Sequence, residues 1–219
     1  MTLRIGDSAP DFTAMSTVGP INLYDYIGES WLVLFSHPKD FTPVCTTEMV
    51  RMEQLTSEFE KRNVKLLGLS VDTVDDHRRW AIDIARVNGK EPSFPLIGDN
   101  DLAVAKLYGM LPSDSAGDSS KRTAADNKTV RTVLVIGPDK TIKAIIGYPM
   151  STGRNFVEVL RLIDSLQMTA EHAVATPADW RQGEDVIILP AIGEEEARQR
   201  FPNGWRAPLP YMRYVPQPA

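Results

Sequence analysis

The chain has 219 residues, 42% of them apolar, enough for one sizeable domain or a domain with an appendage. Its net charge of −5, with no basic block, reads against a nucleic-acid partner. A single cysteine excludes an intramolecular disulfide, and three scattered histidines (His37, His77, His172) make no metal-ligand cluster, so neither metal nor cofactor is expected. Met1 to Pro10 lacks an apolar signal core, and no apolar run approaches the roughly 18 residues that span a bilayer. A cytoplasmic protein with no membrane partner is the expectation.

In chain order, Gly19-Pro20 marks a turn between two short extended pieces, and Tyr24 to Ile27 reads as one helical turn ended at Gly28. Trp31 to Phe35 is an apolar run that suits a strand buried on both faces. Pro38 and Pro43 break it. Thr42 before Pro43 is an N-cap followed by proline at the first helical position, and Met49, Met52, Leu55 and Phe59 then recur at helical spacing. Val64 to Val71 is a second apolar strand. His77, Trp80, Ile84 and Val87 share one face of a helix that stops at Asn88-Gly89. Strand–helix alternation suggests βαβ units in a mainly parallel sheet. Pro95 to Gly98 is a short strand, Asn100 to Tyr108 a short helix, and polar Ser113 to Thr129 an exposed loop of low order. Val130 to Ile136 pairs with Thr141 to Gly147 through a hairpin at Asp139-Lys140. Asn155 to Met168 carries a helical apolar stripe.

The last fifty residues change character. Seven prolines punctuate them around a short strand at Asp185 to Pro190 and a helix at Gly193 to Phe201. Trp180, Trp205, Tyr211 and Tyr214 are too much apolar surface for a solvated tail. The segment must pack on something.

Cys45 therefore lies in the first turn of a helix that leaves a buried strand. The first N–H groups of a helix lack internal acceptors, and the macrodipole places partial positive charge there, so a thiolate is stabilised relative to a thiol. A lone cysteine is ordinarily a small buried hydrophobe. The strand–Pro–Thr-Pro context reverses those odds.

Pro38-Lys39-Asp40-Phe41-Thr42-Pro43-Val44-Cys45 resembles the P-x-x-x-[TS]-x-x-C signature of the peroxiredoxins. The longer string through Cys45-Thr46-Thr47-Glu48, with Thr152 to Phe156 and Ala175 to Trp180, resembles the one-Cys subfamily. The resemblance implies an α/β fold: a thioredoxin-like core, with a central mixed sheet flanked by helices, and a smaller C-terminal α+β extension. It implies a catalytic domain over 1–169 and a dimerisation domain over 170–219 that reaches across a homodimer partner, with larger assemblies left open. It also implies a thiol-specific peroxidase for hydrogen peroxide and organic hydroperoxides, serving antioxidant defence.

In that reaction a thiolate attacks a peroxide oxygen, so the nucleophile must be ionised, the leaving oxygen polarised and the atoms aligned. The resemblance makes Cys45 the nucleophile. Thr42 and Arg131 are catalytic and bind substrate: the Thr42 hydroxyl can donate or accept, and the Arg131 fork can face thiolate and peroxide together. Pro38 shields the cysteine and lines the substrate site, and the N–H groups near Val44 and Cys45 are oxyanion-type donors. His37, Glu48 and Arg154 are supporting candidates. His37 either bonds near the thiolate or is structural in a turn, Glu48 either fixes an arginine or is a solvated first-turn carboxylate, and Arg154 either matches a second family arginine or is an exposed helix start. With no second cysteine, the sulfenic acid left on Cys45 must be reduced by an external thiol or other reductant.

Three rivals are weaker. A phospholipase site credited to some relatives needs Gly-x-Ser-x-Gly, a histidine and an aspartate. Here Gly28-Glu29-Ser30-Trp31-Leu32 lacks the last glycine and Tyr24 stands at the histidine position, leaving Ser30 and Asp139 without a base. Thioredoxin-type exchange needs C-x-x-C, and Glu48 stands at the second position. A holdase or scaffold using the aromatic C-terminal segment would not need Cys45.

Overall fold

The computed structural model describes residues 3–112 and 128–218. Most of the polar loop expected over Ser113 to Thr129 lies outside those residues. Thr129, at its end, is fully buried rather than exposed. The chain divides into two compact units, Met1–Phe156 and Val157–Ala219.

The first unit is built on a seven-stranded sheet in the order β2-β1-β5-β4-β3-β6-β7. Its strands are β1 (Thr13–Ser16), β2 (Gly19–Asn22), β3 (Trp31–Ser36), β4 (Val64–Ser70), β5 (Leu96–Gly98), β6 (Arg131–Ile136) and β7 (Ile142–Tyr148). Every residue of β3 is buried, as its apolar run requires of a strand covered on both faces. β3 pairs in parallel with β4, matching Leu34 to Leu67, and antiparallel with β6, matching Leu34 to Leu134. Only β3–β4 and β4–β5 are parallel, so the mixed sheet is found and the mainly parallel one is not. The sequence cue was the strand–helix alternation of the middle of the chain, whereas hairpins supply both sheet edges. Gly19-Pro20 opens β2 instead of forming the turn, which falls at Thr17-Val18.

Helices α1 (Leu23–Ile27), α2 (Pro43–Lys61), α3 (Val74–Asn88) and α4 (Ala103–Leu107) connect these strands. Met49, Met52, Leu55 and Phe59 of α2 are buried at the expected spacing. α3 starts with a full capping box between Thr73 and Asp76 and ends at Gly89, whose φ of 79° suits glycine. Val87, expected on the apolar face, is 70% exposed. No residue of α3 beyond Ile84 is buried, so the stripe outruns the surface it packs on.

One glycine matters for the site. A Cβ on Gly68 of β4 would come within 2.8 Å of the Phe35 ring and 2.6 Å of Leu96. Its absence lets Phe35 lie flat on the sheet beneath the residues described below.

The second unit holds α5 (Phe156–Glu171) from its second residue on, α6 (Glu194–Arg200) and a sheet in the order β10-β11-β9-β8. Those strands are β8 (Val174–Ala175), β9 (Val186–Ile188), β10 (Arg206–Leu209) and β11 (Met212–Val215). Val174, Trp180, Val186, Ile188, Ala197 and Val215 form its core. The division into units falls after Phe156, the first residue of α5, and the rest of α5 is bonded to the segment that follows it. Arg161 donates to the Trp180 carbonyl at 3.3 Å, Ser165 and Thr176 share a 2.6 Å hydrogen bond, and Met168 packs on the core. The unit buries Trp180 itself and leaves Tyr211 69% exposed. Among the described residues, no helix is long and apolar enough to cross a membrane.

Candidate active site

The carboxyl end of β3 delivers Ser36 and His37, both fully buried, into the turn that leads to α2. Phe41 in that turn has φ 56°, a left-handed conformation that is costly for an aromatic residue and is typical of functional loops. Thr42 is extended (φ −117°, ψ 146°) and Pro43 occupies the first helical position. The expected cap is positional only: the Thr42 hydroxyl donates to the Lys39 carbonyl at 2.9 Å and makes no side-chain cap bond. The helical ladder begins with Thr46 N–H to the Thr42 carbonyl, 3.0 Å, so the N–H groups of Val44 and Cys45 precede it.

Cys45 is fully buried. Arg131, at the start of β6, is 2% exposed and reaches it from across the sheet, with Nη1 3.4 Å from Sγ. The same Nη1 donates to Glu48 Oε2 at 2.7 Å, while Nε and Nη2 both donate to the Met150 carbonyl at 3.0 and 2.7 Å. Every nitrogen of the fork is held, so its orientation is fixed before any ligand arrives.

Glu48 and Arg154 are not the solvated groups their positions allowed. Glu48 is 3% exposed and Arg154 is 7% exposed. Glu48 accepts three hydrogen bonds from Arg154, through the backbone N, Nε and Nη2 at 2.9, 3.0 and 2.7 Å. Arg154 Nη1 donates to the carbonyls of Ser36 and Thr132, and its guanidinium lies 5.2 Å from the Phe35 ring centre. Burial alone would raise the Glu48 carboxyl, but Arg154 and then Arg131 outweigh it and hold it below the usual carboxylate range. One carboxylate thus anchors two buried cations beside the sulfur.

His37 turns to Asp40 rather than to the cysteine, with Nε2 2.6 Å from Oδ1. The other oxygen of Asp40 lies 2.6 Å from His77 Nδ1, and His77 Nε2 donates to the Ile97 carbonyl at 2.9 Å. So two histidines that looked scattered converge on one buried carboxylate, their ligand atoms all within 4.8 Å. Both oxygens already accept short N–H bonds, which makes the group a hydrogen-bonded ion pair. Both nitrogens of His77 face acceptors, as only an imidazolium satisfies. Burial pulls its pKa down, but Asp40 and the Ile97 carbonyl prevail and raise it, whereas in His37 burial prevails and lowers it. Asp40 and His77 were missed in the sequence. The available signal was a histidine on the apolar stripe of α3, which needs a buried acceptor.

The raised His77 pKa has a consequence for stability. A cation favoured by folding contributes fully below its unfolded pKa and is lost as pH rises through the folded one. His77→Phe should cost about 2 to 3 kcal/mol near pH 6. Urea unfolding across pH 6 to 10 should show that gap narrowing as the pH rises.

A cavity of about 210 Å³ opens at this place, lined by Pro38, Lys39, Thr42, Pro43, Val44, Lys128, Arg131 and Met150. Arg131 both lines it and touches the sulfur. The residues of the lipase-like alternative do not assemble. Ser30 donates to Asn63 Oδ1, the Tyr24 hydroxyl to the Ala9 carbonyl, and Asp139 pairs with Lys143.

The AhpC/TSA family matches residues 5–145, and the C-terminal domain of 1-Cys peroxiredoxin matches residues 165–204. The chain belongs to the peroxiredoxin family. It is 51% identical to the peroxiredoxin-6 of Rattus norvegicus, over 99% of this chain and 98% of that protein. Among solved structures, the peroxiredoxin 6 of Arenicola marina superposes with a TM-score of 0.90 at 45% identity, covering 99% of both chains. The yeast mitochondrial 1-Cys peroxiredoxin, described for its thiol resolving mechanism via glutathione/thioredoxin systems, gives 0.88 at 46%, covering 98% of this chain and 100% of its own. The expected fold is that of these peroxiredoxins. The same likeness makes the chain a thiol-dependent peroxidase, an oxidoreductase, and supports that activity over the holdase alternative.

Proposed function

We propose that Cys45 is the peroxide-reducing nucleophile, with Arg131 and Thr42 as its catalytic partners. The observation that carries this is the 3.4 Å contact between Cys45 Sγ and Arg131 Nη1, made by a guanidinium that also lines the cavity. The thiolate attacks one peroxide oxygen along the O–O axis, the O–O bond breaks, and the distal oxygen leaves as alkoxide or hydroxide. Arg131 stabilises thiolate and developing oxyanion together, and the N–H groups of Val44 and Cys45 add donors from the helix start. The Thr42 hydroxyl spends its proton on Lys39, so its lone pairs accept from the peroxide O–H. Pro38, buried beside the cavity, keeps bulk water from the sulfur. Glu48 and Arg154 are positioning residues that hold Arg131, and His37 holds the turn through Asp40.

The product is a sulfenic acid, and this chain's only cysteine is the one oxidised. An external thiol or other reductant completes the cycle, a reading supported by the resolving mechanism described for the yeast relative. We place the protein in the cytoplasm, as a homodimer formed through the second unit. The exposed Leu209 and Tyr211 on the β10–β11 hairpin are the apolar surface that favours association, and solution mass is the check.

With a monothiol present, wild type should consume hydrogen peroxide continuously and Cys45→Ser should not exceed the rate without protein. Consumption by Cys45→Ser at the wild-type rate would remove the proposal.

A further inference from the structure

We propose that Lys39 and Lys128 make the mouth of the Cys45 cavity selective for thiols that carry a carboxylate, and so determine which reductant restores the enzyme. The proposal rests on the peroxidase reading above. The whole chain carries a net charge of −5, yet the charged residues lining this cavity are Lys39, Lys128 and Arg131, with no carboxylate among the described lining residues. Lys39 and Lys128 are exposed, and among the described residues neither makes an ion pair.

Two carboxylates near the mouth, Asp40 and Glu48, are committed elsewhere. Asp40, next to Lys39 in sequence, directs both oxygens to His37 and His77. Glu48 is held by Arg131 and Arg154. Among the described residues, then, the positive field at the mouth is uncompensated, and the low-dielectric walls of a small cavity focus it.

Burial of the sulfur decides which reactant feels that field. Cys45 has no exposed surface, so a reactant enters end-on and its remainder stays at the mouth. Hydrogen peroxide is neutral and has no remainder. A thiol with a carboxylate a few bonds from sulfur places that carboxylate beside the two ammonium groups.

The chemistry needs two such thiols. The first thiolate attacks the sulfur of Cys45–SOH, an S–S bond forms, the S–O bond breaks, and hydroxide leaves and is protonated to water. A second thiolate attacks the thiol-side sulfur of that mixed disulfide. Cys45 departs as thiolate, and the small disulfide is released. Each external thiol gives up one electron, and the Cys45 sulfur gains two.

The test reads ratios within one protein. Cys45–SOH, formed with one equivalent of peroxide, is reduced by mercaptoacetate or by 2-mercaptoethanol at equal thiolate concentration. In parallel, reduced protein is alkylated with iodoacetate or iodoacetamide. Each anionic-to-neutral rate ratio is divided by the same ratio for a small free thiol or disulfide. Wild type should exceed unity by about fivefold or more at low salt, in both pairs, and lose the excess at high salt. The Lys39→Glu/Lys128→Glu variant should fall to unity or below. Ratios of unity in wild type, ratios unchanged in the variant, or selection in alkylation without selection among thiols would each overturn the proposal. Failure to form any sulfenic acid would count against the peroxidase reading, and the alkylation pair would still decide the charge of the mouth.

Discussion

Arg131→Met should slow oxidation of Cys45 by hydrogen peroxide by about two to three powers of ten, the usual cost of removing one donor aimed at developing negative charge. Methionine keeps most of the volume and removes the fork. In the native site Nη1 stands between the sulfur and Glu48 while Nε and Nη2 grip the Met150 carbonyl. A group held that firmly needs no reorganisation as charge moves from sulfur to the leaving oxygen. Iodoacetamide needs only a thiolate and no help for an oxyanion, so its reaction should slow far less. Stopped-flow oxidation and alkylation on the same variant separate the two effects. Equal slowing would confine Arg131 to stabilising the thiolate. Arg131→Lys should fall between, because it restores charge without the two bonds to Met150.

Glu48→Gln should cost about 3 to 5 kcal/mol of stability, the expected penalty for breaking a buried ion pair from one side. The substitution preserves shape and leaves Arg131 and Arg154 buried with no counter-charge. Its pH dependence carries a definite sign. The folded Glu48 pKa is held below its ordinary value of 4.5, so its contribution is present above that value and is lost as pH falls through the folded pKa. Urea unfolding at pH 7 should show the full gap between wild type and variant, and unfolding near pH 3 a smaller one. Asp40 is also depressed, after its two histidines overcome burial, but it titrates in both proteins and cancels in the difference. A gap unchanged between those pH values would mean that the carboxylate charge is not what holds the two arginines.

What could be read from the chain was local. The buried strand, the Thr42-Pro43 helix start and Cys45 in the first turn all follow from neighbours in sequence, and the structure keeps each of them. Thr42 is the N-cap residue as read, but the partner of its hydroxyl, the Lys39 carbonyl, is not legible from residue types, because a side-chain cap and a turn bond use the same group. The two readings left open for Glu48 and for Arg154 could not be closed, since the partners are joined only when β6 and the segment after β7 that carries Arg154 are brought beside α2. The same holds for His77, whose acceptor Asp40 lies in another turn. The edge hairpins were legible, but the mainly parallel expectation missed that β6 pairs antiparallel with β3 and β1 antiparallel with β5, pairings between segments far apart in sequence. Arg131 was legible only through family resemblance. A charged residue at a strand end is ordinarily solvated, and its burial depends on a thiol, a carboxylate and a carbonyl from three other segments.

The central claim is that one cysteine carries the whole oxidative half of the cycle with no internal resolver. Its most direct measurement is intact-mass and peptide analysis after graded additions of hydrogen peroxide to the reduced protein without thiol. One equivalent should be consumed per chain, with a single oxygen on the Cys45 peptide that a monothiol added at once removes. Further peroxide should add a second oxygen that the same thiol, added late, leaves in place. Continued consumption of peroxide with no reductant, or full recovery by late thiol, would contradict the one-cysteine mechanism.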